Sequence, residues 1–119
     1  MKWQIEYYNN DVSKTILSLP KGLLARYLRL TDLMLIHGAN LGMPHTKYID
    51  NGLFELRLKS KEGFGRVFYC VVFEKRIVML HSFIKKSQKT PKKELQIALN
   101  RLKEIKNDSW RIKKNSSSR

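Results

Sequence analysis

Arg57 and Arg66 lie on two segments whose alternating hydrophobic pattern predicts neighbouring β-strands. The polar residues between them, Lys61 and Glu62, followed by Gly63, favour a two-residue turn that places Arg57 directly opposite Arg66. Gly63 and Gly65 leave a longer loop or a bulge as the alternative. Two like charges in a cross-strand pair repel each other unless an anion bridges them. This spacing therefore predicts a site for an anion on one face of a sheet.

A second turn, at Glu74 and Lys75, extends this face across a third predicted strand. As a two-residue loop it fixes three cross-strand pairs: Phe73 with Arg76, Phe68 with His81, and Arg66 with Phe83. The face then carries interleaved cations and aromatic residues: Arg57, Lys59, Arg66, Phe68, Cys70, Met79, His81, Phe83 and Lys85. We expect Phe68 and Phe83 to be uncovered, where a nucleic-acid base could stack on them.

The opposite face is apolar and is predicted to pack beneath helices; it carries Leu56, Leu58, Val67, Tyr69, Val71, Val78 and Leu80. A plain alternative for the charged face is that exposed antiparallel sheets are often polar, and edge lysines often only prevent aggregation. His81 is a secondary catalytic candidate, because a lone histidine after an apolar run is more often structural. Cys70 is predicted to be an ordinary buried residue.

The elements that position these residues follow from periodicity. Strands are predicted over Met1–Tyr8, Leu53–Lys59, Phe64–Phe73 and Arg76–Ile84, and residues 39–51 are predicted to form a loop. The expected helices are a short one capped by Asp11 or Ser13 and reaching Leu19, a longer one over Lys21–His37, and a C-terminal one from the Thr90-Pro91 pair to about Asn107.

The long predicted helix has two adjacent leucine-rich stripes. They consist of Leu24, Leu28, Thr31 and Leu35, and of Leu23, Tyr27, Leu30 and Met34. Core packing is the ordinary interpretation of both stripes, and a partner-binding helix is the alternative. Gly38 is the predicted C-cap.

Composition narrows the class of ligand. The 119 residues include 24 Lys+Arg and 10 Asp+Glu, a formal charge of +14, with 42% hydrophobic residues. A compact basic domain of this kind attracts phosphate groups, so nucleic acid is the first candidate ligand and an anionic membrane the second. An acidic protein partner is compatible with both. One cysteine and three histidines exclude an intramolecular disulfide and show no zinc-site spacing. We expect no cofactor, no metal, no membrane span and a cytoplasmic location, with a single domain over 1–108 and a flexible basic, serine-rich tail over 109–119.

Three motifs carry a family resemblance over nearly the whole chain: GLFELR at 52–57, RVFY at 66–69 and LHSFIKKSQKTP at 80–91. Together they resemble the HigB toxins of the RelE/ParE superfamily, specifically the phage-derived branch. The resemblance implies an α+β fold: a strand, two helices, a three-stranded antiparallel meander and a C-terminal helix beside a twisted, mostly antiparallel sheet.

The resemblance also implies a toxin of a type II toxin–antitoxin pair that cleaves messenger RNA on the ribosome. Carried over by position, the catalytic residues are Arg57, Arg66, Lys85 and Lys86. From the residue pattern itself, His81 is a secondary catalytic candidate, and we expect Lys59, Phe68, Phe83 and Lys89 to bind RNA. The expected partners are the ribosome, mRNA and a HigA-like helix-turn-helix antitoxin, with a heterotetramer as one expected assembly. His81, Tyr69, a lysine or the ribosome itself remain open as the source of proton transfer.

Two alternative functions are compatible with this fold or with this positive charge. ParE-like relatives act on DNA gyrase and are not nucleases, and a basic domain can also be a simple nucleic-acid-binding module. The arginine pair together with Lys85 and Lys86 favours the nuclease.

Overall fold

A computed structural model describes residues 2–87 and 89–107. Within these residues the elements follow in the order β1 (Gln4–Tyr7), α1 (Asn10–Leu17), α2 (Lys21–His37), β2 (Thr46–Asp50), β3 (Leu53–Ser60), β4 (Gly63–Val72), β5 (Arg76–Lys85) and α3 (Lys92–Asn107). The strands form one sheet in the spatial order β1-β5-β4-β3-β2, and only β1 and β5 pair in parallel among these strands. The predicted α+β class and mostly antiparallel sheet are confirmed. The predicted tail at 109–119 lies outside the described residues.

The predicted loop over 39–51 is wrong in its last part, because Thr46–Asp50 form the edge strand β2. Asn51 and Gly52 have φ values of 52° and 92°, and together they make the two-residue turn that joins Asp50 to Leu53. An Asn-Gly pair adopts such positive φ values readily and is a strong hairpin signal. The nearby Gly42 and Pro44 made the whole segment resemble a loop.

The β4–β5 hairpin differs from its predicted register at one end only. Its turn has three residues, so Val72 pairs with Arg76, and Glu74 and Lys75 both have positive φ values. A β-bulge then shifts the register between Phe68 and Tyr69. Beyond this bulge the structure has the predicted pairs, Phe68 with His81 and Arg66 with Phe83. The predicted pair of Phe73 with Arg76 is wrong.

Helices α1 and α2 cover one face of the sheet. Asn9, rather than Asp11 or Ser13, caps α1, because its side chain accepts a hydrogen bond from the Val12 N–H at 2.9 Å. Helix α2 has the predicted bounds and ends at Gly38, whose φ is 105°. Only one of its two leucine-rich stripes is fully buried; Leu28 and Leu35 are 50% and 41% exposed.

The other face of the sheet is covered by α3, so the sheet lies between two helical layers. Because the turn end of β5 is shifted by one residue, Met79 packs under α1 and α2. Val78 and Leu80 pack under α3, opposite to the prediction. No helix in the described ranges is long and apolar enough to cross a membrane.

Three buried groups make stability sensitive to alkali. Burial raises the pKa of the Cys70 thiol to about 12, and burial also raises the pKa of Tyr27 and of Tyr69. An unfolded chain releases these protons from about pH 8.5 for cysteine and about pH 10 for tyrosine, so the folded state binds more protons in this range. We expect the urea midpoint to fall as pH rises above about 8.5, and more steeply above about 10. A midpoint that stays constant from pH 8 to pH 11 would contradict this expectation.

Candidate functional site

Arg57 on β3 and Arg66 on β4 are direct cross-strand neighbours, as the turn at 61–62 predicts. Both approach the buried Glu55: Arg57 Nη1 donates to Glu55 Oε1 at 3.0 Å, and Arg66 Nε lies 3.7 Å from Glu55 Oε2. Two guanidinium groups therefore share one carboxylate. The trio has a net charge of +1 beneath a groove open to solvent, which favours binding of an anion.

The prediction that Arg66 faces solvent is wrong, because Arg66 is only 5% exposed. Its Nη1 donates to the Gly65 carbonyl oxygen at 2.9 Å, whereas its buried Nε has no hydrogen-bond partner. Burial, and next the charge of Arg57, lower the pKa of the Arg66 guanidinium, while Glu55 opposes the shift. A phosphate above Arg57 and Arg66 would offset this repulsion.

Two adjoining depressions surround the arginine pair, and we call them together the cationic groove. The larger, of about 560 Å³, is the lysine side and is lined by Arg57, Phe64, Arg66, Lys85, Lys86 and Ser87. The smaller, of about 280 Å³, is the histidine side and is lined by Arg26, Pro44, His45, Arg57, Leu58, Lys59, Phe64 and Arg66. Both sides share Arg57, Phe64 and Arg66.

The structure brings most of the predicted cations to this groove. Lys85 Nζ donates to the Ser87 carbonyl oxygen at 2.6 Å, and Lys86 is exposed beside it. Lys59 Nζ lies 6.0 Å from the centre of the Phe64 ring. Lys89 is exposed in the connection to α3 and does not line either side of the groove.

Phe68 and Phe83 are buried, so the prediction that they are uncovered is wrong. They are 1% and 8% exposed, their ring centres are 5.8 Å apart, and both belong to the core beneath α3. The alternation of side chains along the strands correctly predicted the face of the sheet on which they lie, but α3 covers that face. Neither ring is available for a base to stack on.

His81 and Tyr69 are held away from the arginine pair. His81 Nε2 lies 2.6 Å from Glu94 Oε1 of α3, and its ring lines a separate crevice beside α1. The buried Tyr69 hydroxyl donates to the Ala39 carbonyl oxygen at 2.5 Å. The structure therefore does not bring His81 or Tyr69 to the cationic groove, whereas lysines, the other side-chain candidates for proton transfer, do line it.

Three groove residues were missed by the sequence reasoning. Phe64 is 44% exposed and shares its face with Arg66 by simple alternation, so the signal was present in the strand pattern. Its ring centre is 6.0 Å from Arg66 Cζ. Arg26 and His45 line the groove from α2 and from the segment before β2. Neither could be placed without tertiary structure.

Chemically, the groove supplies donors and positive charge. Six cationic side chains line it and no carboxylate does so among the described residues: Arg26, Arg57, Lys59, Arg66, Lys85 and Lys86. Such an arrangement can bind a phosphodiester and stabilise negative charge that develops on it. In residues 2–87 and 89–107 no three His, Cys, Asp or Glu side chains are grouped so that they could hold a metal ion.

Comparison with known proteins identifies the family. Residues 14–103 match the family described as Phage derived protein Gp49-like. The chain belongs to this Gp49-like family. A chain in the crystal structure of the archaeal RelE-RelB complex from Pyrococcus horikoshii OT3 has a similar fold, with a TM-score of 0.52 and 23% identity over 71% of this chain and 96% of that chain. No curated protein matches by sequence. This Gp49-like protein thus has a RelE-like fold.

Proposed function

We propose that this Gp49-like protein is a RelE-type toxin of the HigB-like branch that cleaves messenger RNA on the ribosome. The observation that carries the proposal is the cross-strand pair of Arg57 and Arg66, which share one buried carboxylate at the floor of a cationic groove. The Gp49-like family match and the RelE-like fold support the same class.

The proposed reaction is attack of a ribose 2′-oxygen on the adjacent phosphorus. The P–O2′ bond forms and the P–O5′ bond breaks, leaving a 2′,3′-cyclic phosphate and a 5′-hydroxyl. The 2′-hydroxyl loses one proton and O5′ gains one, so no further reactant is needed. Arg57 and Arg66 would bind the non-bridging oxygens and stabilise the charge of the phosphorane.

Phe64 would hold a base beside the scissile phosphate. Its exposed ring lies next to Arg66 and Lys59, and it lines both sides of the groove. Stacking on an aromatic side chain is the common way to hold an unpaired RNA base. In this proposal Phe64 takes the role that the sequence assigned to Phe68 and Phe83.

Inducible expression tests the function. We expect growth to stop and transcripts to be cut within translated regions, with 5′-hydroxyl ends at the cuts. A translation initiation inhibitor, which keeps ribosomes off the messages, should abolish the cuts. Unchanged growth and intact transcripts would exclude the toxin assignment. Loss of DNA supercoiling with intact transcripts would select the gyrase-directed alternative.

Lys86 is expected to contribute charge rather than chemistry. Lys86→Ala removes an exposed cation that lines the lysine side of the groove. Binding of a short RNA should weaken, and the slope of log affinity against log salt should decrease by about 0.7, the value for one phosphate contact on a single strand. Lys103→Ala, the same change at an exposed site outside the groove, is the control. An equal effect of both changes would show that the groove has no special role.

A second protein must restrain such an enzyme, and we propose an acidic helix-turn-helix antitoxin of the HigA type. The similar fold was solved in a RelE-RelB complex. Two surfaces suit this partner: the cationic groove, and the exposed apolar flank of α2 with Leu28 and Leu35. Co-purification with the product of the neighbouring reading frame tests the pairing. Loss of the complex with Leu28→Glu, but not with Lys86→Glu, would assign it to α2.

A further inference from the structure

His45 lies at the end of a row of residues that crosses the sheet. Thr46 pairs with Leu56 in the β2–β3 ladder, and the Arg57 N–H donates to the His45 carbonyl oxygen at 2.8 Å. His45 therefore continues the ladder opposite Arg57, which in turn is opposite Arg66. Residues opposite each other on neighbouring strands have Cβ atoms about 5 Å apart, so Arg57 is an immediate neighbour of His45 on one side and of Arg66 on the other.

The side chain of His45 also reaches the candidate site. It is partly exposed and lines the histidine side of the groove together with Arg57 and Arg66. The charged groups that line the groove beside it come from α2, β3 and β4 and are the cations Arg26, Arg57, Lys59 and Arg66. The carboxylate of Glu55 is buried beneath them and is bonded to Arg57. The proposed reaction needs a group that takes a proton from the 2′-hydroxyl, and imidazole is the side chain best suited to this near neutral pH.

Among the described residues that line the groove, His45 is the only histidine, and the other ionisable side chains are arginines and lysines. His81 is bonded to Glu94, and Tyr69 is buried against Ala39. Glu94 therefore holds His81 outside the groove, whereas His45 lines the groove beside Arg57.

We propose that His45 is the general base of the cleavage, accepting the proton of the attacking 2′-hydroxyl while Arg57 and Arg66 hold the phosphate. This inference rests on the function proposed above. The imidazole takes the proton as the P–O2′ bond forms. O5′ leaves and takes a proton from water. The imidazolium then gives its proton to the hydroxide so formed, so that protons balance over one turnover.

Single-turnover cleavage of ribosome-bound message tests the role. His45→Gln should slow cleavage by about 10²- to 10⁴-fold, the usual contribution of a general base. The acid limb of the wild-type pH–rate profile should disappear. Binding to a message with a 2′-deoxy nucleotide at the cut site, which cannot react, should stay within about twofold. Added imidazole should partly restore the rate of His45→Gly. His37→Gln, the same change at an exposed site outside the groove, should not alter the pH profile.

The outcomes separate the two proposals. If the wild type cleaves and His45→Gln cleaves equally fast with the same pH profile, the role of His45 is excluded while the nuclease stands. If His45→Gln weakens binding of the 2′-deoxy message as much as it slows cleavage, His45 is a binding residue and not the base. If the wild type does not cleave under any condition, both proposals fail. Thermal unfolding of each variant identifies a folding defect, and imidazole rescue of His45→Gly then decides the question.

Discussion

Arg57→Gln is expected to lower mRNA cleavage by about 10²- to 10³-fold, the usual cost of removing one donor from a site that stabilises developing negative charge. Arg57 is the partly exposed member of the arginine pair, so its guanidinium is the one that a substrate phosphate reaches first. Glutamine removes the positive charge but still has an N–H that can donate to Glu55. The expected result is therefore a folded protein that does not cleave, measured as the single-turnover rate on ribosome-bound message.

Arg29→Gln is the matched control, because Arg29 is exposed on α2 and does not line the groove. It makes the same change in net charge as Arg57→Gln. Cleavage by the two variants at equal rates would mean that overall charge, rather than the arginine pair, supports the activity. Thermal unfolding should show both variants folded at the assay temperature.

Phe68→Ala is expected to lower the free energy of unfolding by about 3–5 kcal/mol, which is typical of removing a buried aromatic ring. The ring packs against Phe83 in the core beneath α3, so its removal leaves a cavity between the sheet and that helix. The sequence assigned Phe68 to RNA binding, and on that basis the same change would spare stability. Urea unfolding of the purified variant distinguishes the two expectations.

Phe64→Ala makes the same chemical change four residues away on the same strand and face. Because Phe64 is 44% exposed and buries only part of its ring, its removal should lower the free energy of unfolding by about 1–1.5 kcal/mol, well below the effect of Phe68→Ala. RNA binding should weaken by about 1–3 kcal/mol if one base stacks on the ring. The prediction for Phe68 is wrong if Phe64→Ala proves the more destabilising of the two.

The sequence predicted the arginine pair because local rules determine it. Alternation along β3 and β4 and a two-residue turn at 61–62 are enough to place Arg57 opposite Arg66. It also predicted the existence of every helix and of four of the five described strands. These features depend on residues close together in the chain.

What the sequence did not predict depends on contacts between distant residues. Strand patterning assigned Phe68 and Phe83 to one face, but only the docking of α3 decides that this face is core. Similarly, His45 and Arg26 reach the groove through the packing of β2 and α2 against β3. The hydrophobic periodicity of the segments that contain His45 and Arg26 could not predict that these residues line the groove.

The β-bulge in the β4–β5 hairpin has a consequence for how relatives should be aligned. The cross-strand register set by the turn at Glu74 and Lys75 changes by one residue at the bulge. The pairs between the bulge and Gly63, among them Arg66 with Phe83, keep a single register. Insertions or deletions near the outer turn can therefore be absorbed at the bulge without moving the arginine row. In a comparison of diverged sequences, the reference point for aligning the arginine pair is thus the β3–β4 turn, and gaps belong between Tyr69 and His81.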